Sequence, residues 1–129
     1  MVELARPEKG ERMADLGSGD GRILIAFAQK GIKTHGFELD PLLINTSQIL
    51  IKKEKLESQI TIEQKNFWHE DLGKFDIITI YPMPDIMENL KKKLLQETKS
   101  RTRILLNYYP LPTIKPTAQK HNIYLYHRP

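Results

Sequence analysis

Asp15-Leu16-Gly17-Ser18-Gly19-Asp20-Gly21-Arg22 continues a short apolar run, RMADL at residues 12–16, into a turn with glycine at three alternate positions. Such glycines let the backbone turn sharply and bring a ligand against its N–H groups. The dinucleotide fingerprint asks for Gly or Ala where this chain has Arg22. It also sets a helix N-terminus against an anionic pyrophosphate, which Asp15 and Asp20 would repel. A P-loop is excluded because no Gly-Lys-Ser/Thr follows.

Working outward, short strand-like runs alternate with longer helix-like ones. Residues 21–30 read as a helix with Ile23, Leu24, Ala26, Phe27 and Ala28 apolar and Gly31 as its stop. Residues 33–39 fit a second strand. A long helix starts at Pro41, with Leu42, Leu43, Ile49, Leu50 and Leu56 as its buried side. Residues 60–65 alternate as a strand, and 75–81 (FDIITIY) form the most hydrophobic strand, expected at the centre of a covered sheet. Residues 84–97 are amphipathic, with Ile86, Leu90, Leu94 and Leu95 inward and the triplet Lys91, Lys92, Lys93 outward. Strands at 103–109 and 123–126 follow, and 110–122, with three prolines and no periodicity, read as a loop.

This order predicts an α/β fold: a Rossmann-like, doubly wound, mostly parallel sheet of six to seven strands, with helices on both faces. Ligands in such sheets bind beyond the carboxyl ends of the strands. The site is therefore expected in the loops after Leu16, Leu39, Lys65 and Tyr81. Its acids suit a ligand with a cationic centre and a zwitterionic amino-acid end. Glu38, at the end of the second strand, can accept hydrogen bonds from ribose hydroxyls. An acidic first strand end, an alternate-glycine loop and an acidic second strand end together describe a site for S-adenosylmethionine.

At this level the chain resembles the class I, seven-strand methyltransferases. DLGSGDGR at 15–22, FELDP at 37–41 and YPLP at 109–112 with Pro116 are similar to two groups of small protein lysine methyltransferases. One modifies the mitochondrial adenine nucleotide translocase and the c-type ring protein of ATP synthase; the other is archaeal and of broad specificity. The resemblance implies that Asp15, Gly17, Ser18, Gly19 and Asp20 surround the methionine portion of the cofactor. It implies further that Glu38 and Leu39 flank the ribose, and that Asn66 contacts the adenine amino group with Phe67 or Trp68 near the ring. Asp40 stands where the family has Asn, and Ile114 where it commonly has an aromatic residue. Against the family pattern the penultimate strand is shortened to residues 117–122, and Met1 aligns inside the helix that covers the cofactor in relatives.

The 129 residues are expected to form one domain, 1–129. Composition is 40% hydrophobic and 28% charged, that of an ordinary globular domain. No apolar run approaches the ~20 residues of a membrane span, and cysteine is absent, so a cytoplasmic protein without disulfides or thiolate metal sites is expected. His35, His69, His121 and His127 are scattered without ligand spacing, so no metal is expected.

Residues 1–88 hold 11 basic and 15 acidic residues, whereas 89–129 hold nine basic residues against Glu97 alone. Methyl transfer needs a neutral nucleophile placed in line with the sulfonium methyl, and no dedicated base. Tyr81, in Tyr81-Pro82-Met83-Pro84 after the fourth strand, is the candidate catalytic residue at the acceptor's entrance, and Tyr108 and Tyr109 are candidate channel residues. The resemblance implies a protein substrate with accessible lysines. The alternatives are an RNA or DNA methyltransferase using the basic segment 89–129 as a phosphate footprint, or a cofactor-binding domain without turnover.

Overall fold

The structure, a computed structural model, describes residues 1–128. After a single turn of helix, α1 (Val2–Ala5), five parallel strands follow in the chain: β1 (Arg12–Leu16), β2 (Lys33–Phe37), β3 (Ile60–Glu63), β4 (Ile77–Ile80) and β5 (Arg103–Asn107). Helices α2 (Arg22–Ala28), α3 (Pro41–Lys53) and α4 (Met87–Glu97) connect them. Two antiparallel strands, β6 (Ala118–Lys120) and β7 (Ile123–His127), complete a seven-stranded sheet of order β3-β2-β1-β4-β5-β7-β6. The order reverses at β1, between β2 and β4, and this is where a doubly wound sheet opens a crevice.

Alternation along the strands builds two cores. Ala14, Leu16, Ile78, Ile80 and Ile104 face Leu90 and Leu94 of α4. Met13, Ile77 and Leu105 face Leu24 and Phe27 of α2 and Ile51 of α3. All four residues of β4 are buried, as its central place requires. Each such Leu, Ile or Phe contributes about 1.5–3 kcal/mol on burial.

Three local expectations are corrected. Helix α3 buries Ser47 and Ile51, while Leu42, Leu43 and Ile49 are 77%, 37% and 61% exposed. The reason is close contact with the glycine turn: a Cβ at Gly21 would lie 2.9 Å from Ser47 Cβ, so the helix presents a small residue there. Lys93 of the lysine triplet is buried, not outward: its ammonium donates to both Glu97 oxygens at 2.8 and 2.9 Å and to the Trp68 and Glu70 carbonyls at 3.1 and 2.8 Å. Finally, residues 118–120 form β6 rather than loop. Their side chains are exposed, so only backbone pairing with β7 reveals the strand. Helix α1 packs on β6, with a Lys120–Glu3 ion pair, so it lies at the sheet edge and away from the glycine turn.

Candidate functional site

The turn between β1 and α2 is drawn tightly over the end of β2. Gly17 and Ser18 N–H both donate to Phe37 O, at 2.8 and 3.1 Å. Gly17 and Gly19 have φ of 80° and 58°, in the region that favours glycine, and an added Cβ on either would meet nothing within 4 Å. Backbone N–H groups therefore border open space. Gly36 allows this closeness from below: its missing Cβ would sit 2.6 Å from Ser18 Oγ and from Leu24 Cδ1.

Glu38 ties the turn to the next loop. Its Oε1 accepts Gly19 N–H at 2.7 Å, and Oε2 accepts Leu39 and Asp40 N–H at 3.0 and 3.1 Å. A carboxylate offers about four lone-pair positions, so acceptor capacity remains after these three bonds. Asp40 then caps α3 by accepting Leu42 N–H at 2.9 Å.

Asp15 lies beneath the turn, 3% exposed, accepting a 2.8 Å hydrogen bond from Thr79 Oγ1. Burial pushes its carboxyl up to about 7, aided by the charge of Glu38 and opposed by the Thr79 bond. Asp20 is nearer the surface, where it pairs with Arg22 at 2.9 Å.

Asp15, Gly17, Ser18, Gly19, Asp20 and Tyr81 line one cleft of about 600 Å³. Leu43, from the start of α3, and Asn107, from the end of β5, also line it. Tyr81 is 56% exposed and stacks on Tyr108, with ring centroids 6.1 Å apart. Glu38 and Leu39 stand behind Gly19 and do not line the cleft. Asn66 and Phe67 also lie outside it. Asn66 caps the short 3-10 turn Phe67–His69 by accepting Trp68 N–H at 3.0 Å, and Phe67 packs against the core with its ring centroid 4.8 Å from that of Trp68. Thr79 and Asn107 escaped the sequence reading. Thr79 could have been found as the one hydroxyl inside an otherwise apolar buried strand, in register with Asp15.

These residues fit S-adenosylmethionine. Ser18 Oγ is buried without a hydrogen-bond partner in the wall of the cleft, Gly17 and Gly19 leave room above their Cα atoms, and the acids suit a cationic ligand. Among the described residues no group of three or more His, Asp or Glu could hold a metal ion, and no helix is long and apolar enough to cross a membrane.

The basic segment is largely neutralised. Lys91, Lys93, Lys99, Arg103 and Lys120 pair with Glu88, Glu97, Asp76, Glu11 and Glu3. The excess seen along the sequence is therefore matched in space by acids, most of them from the first part of the chain.

The strand order, with the open glycine turn at its switch point, is that of the class I, seven-strand S-adenosylmethionine-dependent methyltransferases. Solved structures agree: an RNA methyltransferase from Salinibacter ruber, in complex with S-adenosyl-L-homocysteine, superposes with a TM-score of 0.95 at 24% identity, over 99% of this chain and 87% of that one. A methyltransferase from Thiobacillus denitrificans, also with S-adenosyl-L-homocysteine, gives 0.71 at 23% identity, over 88% and 50%. Within that class, residues 15–118 match the model of the ANTKMT methyltransferase domain, and the chain belongs to this family. The human lysine N-methyltransferase named for the c-type ring protein of ATP synthase is 31% identical over 116 residues, 90% of this chain and 49% of the relative. The mouse adenine nucleotide translocase lysine N-methyltransferase is 30% identical over 92% of this chain and 52% of its own length. The chain thus spans about half the length of these two relatives. A protein-lysine N-methyltransferase from Saccharolobus islandicus is 28% identical over 98% of this chain and 84% of its own length.

Proposed function

We propose that the chain is the cofactor-binding and catalytic core of an S-adenosylmethionine-dependent protein-lysine N-methyltransferase. The observation that carries this reading is the cleft itself: a buried acid and open glycine turn on one wall, an exposed tyrosine on the other. The lysine acceptor is supported by relatives from human, mouse and Saccharolobus islandicus, each named a lysine methyltransferase.

When bound, the cofactor supplies an electrophilic methyl on a sulfonium. Asp15 and Ser18 Oγ take its amino-acid end with the Gly17 and Gly19 backbone, and Asp20 borders that end. Glu38 uses its remaining acceptor capacity for the ribose, beside Leu39. Asn66 keeps a second lone pair on Oδ1 for the adenine amino group, next to Phe67. Tyr81 walls the acceptor's approach.

A lysine amine, with an ordinary pKa of about 10.4, must shed its proton before attack. The exposed apolar rim of Leu43 and Tyr81 disfavours the ammonium form and lowers that barrier. The amine nitrogen then bonds to the methyl carbon as the carbon–sulfur bond breaks, its pair remaining on sulfur. The chain's own work is placement and exclusion of water.

The test is transfer of labelled methyl from S-adenosylmethionine into a cell extract, with nuclease and protease arms. Label that survives nuclease, disappears with protease and elutes as methyl-lysine is expected. Label that survives protease and disappears with nuclease would move the acceptor to RNA or DNA.

A further inference from the structure

We propose that Tyr81 and Tyr108 form a two-ring subsite for the aliphatic stem and terminal ammonium of the acceptor side chain, with Tyr108 as its specificity-determining residue. This rests on the lysine reading and names how the acceptor is selected. Four observations meet here. Tyr81 lines the cleft that holds Asp15 and the glycine turn, and Asn107, next to Tyr108, lines it too. The two rings lie nearly parallel, 21° apart in plane and 6.1 Å between centroids, and a third ring, Tyr109, stands 5.6 Å from Tyr108. Tyr81 and Tyr108 are 56% and 53% exposed, so their rings serve no core. And Tyr108 carries φ of 80°, an outlier for a bulky residue.

That backbone is imposed from outside. Tyr108 N–H donates to Asn122 O at 2.6 Å, continuing the Asn107–Ile123 pairing of β5 with β7. The last rung of the sheet therefore holds the residue in the left-handed region and keeps its ring beside Tyr81. Strain of this kind persists where surrounding structure enforces it, and it concentrates at binding sites.

The chemistry of such a pair is specific. Aromatic faces attract an ammonium through the ring quadrupole, and their apolar surface accepts methylenes. A hydroxyl acceptor gains little from them. The acids on the opposite wall, Asp15 and Asp20, favour positive charge in the same cleft. A long side chain ending in a cation is the ligand that both walls recognise.

Calorimetry tests this with the chain saturated in S-adenosylhomocysteine and a short peptide bearing one lysine, against the same peptide with norleucine. The lysine peptide is expected to bind more tightly. Tyr108→Gly is expected to weaken it about tenfold, whereas Tyr108→Phe, which keeps the ring, stays within about threefold of the wild type. The glycine variant should bind S-adenosylhomocysteine as before and melt no lower, because glycine accepts the backbone that tyrosine strains. A packing role would instead lower its melting temperature. Equal binding of the two peptides, an unchanged Tyr108→Gly, or a Tyr108→Phe as weak as Tyr108→Gly would each overturn the subsite. Methyl-lysine formed in the extract assay alongside any of these would leave the lysine reading standing; its absence would remove that reading as well.

Discussion

Thr79 Oγ1 donates a 2.8 Å hydrogen bond to Asp15 Oδ1 across the β1–β4 pair, with both side chains buried and the two residues in register. This pair sets the charge state of the cleft floor. Desolvation pushes the Asp15 carboxyl up to about 7, from about 3.9 in an unfolded chain.

Between those values the folded protein holds a proton that the unfolded chain has lost. The contribution of Asp15 to stability therefore falls as pH rises from about 4 to about 7, then levels. Thermal melts across this window are expected to show Asp15→Asn gaining on the wild type as pH rises. Affinity for S-adenosylhomocysteine should move the other way, rising between pH about 6 and about 8 as the carboxylate forms to meet the ligand's ammonium. Asp15→Asn is expected to flatten that profile.

Thr79→Val keeps shape and removes the donor. Loss of one buried hydrogen bond to an acid costs about 1–3 kcal/mol. Because that bond opposes the upward shift, its loss raises the Asp15 pKa further. The midpoint of the affinity–pH profile is expected to move to higher pH, which titrations of the two proteins at matched ionic strength would show.

Gly36→Ala tests the packing beneath the turn. The new methyl would fall 2.6 Å from Ser18 Oγ and 2.8 Å from Ser18 Cβ, so the turn must shift. Overpacking of this kind costs about 1–3 kcal/mol. A lower denaturation midpoint together with weaker S-adenosylhomocysteine binding is expected. Gly36 belongs to the site through contact alone.

Lys93 and Lys92 are neighbours in sequence with different fates. Lys93→Met leaves Glu97 and the Trp68 and Glu70 carbonyls without their donor, at a cost of about 1–3 kcal/mol. The exposed Lys92→Met is expected to stay within about 0.5 kcal/mol of the wild type. Urea titration of both variants separates the two.

The same contrast explains what was legible in the sequence. The glycine turn, Asp15 and Glu38 could be read because local backbone geometry and strand ends dictate them. The β4 strand could be read because burial on both faces leaves an unbroken apolar run. Lys93 could not, since its partners come from a 3-10 turn and the loop after it, which no spacing rule links to α4. Leu42, Leu43 and Ile49 misled, because periodicity reports apolar residues without saying whether they meet a core or the rim of a cleft. Strand β6 was silent, since its three exposed residues carry no alternation. The charge split misled too, because ion pairs such as Arg103–Glu11 and Lys99–Asp76 join residues far apart in the chain.

The central claim is that this cleft is a cofactor site, and titration of S-adenosylhomocysteine into the purified chain tests it most directly. One-to-one binding is expected, weakened about tenfold or more by Glu38→Ala, which removes both the ribose acceptor and the carboxylate that holds Gly19 in place. No heat of binding to the wild type, or binding that Glu38→Ala leaves untouched, would contradict it.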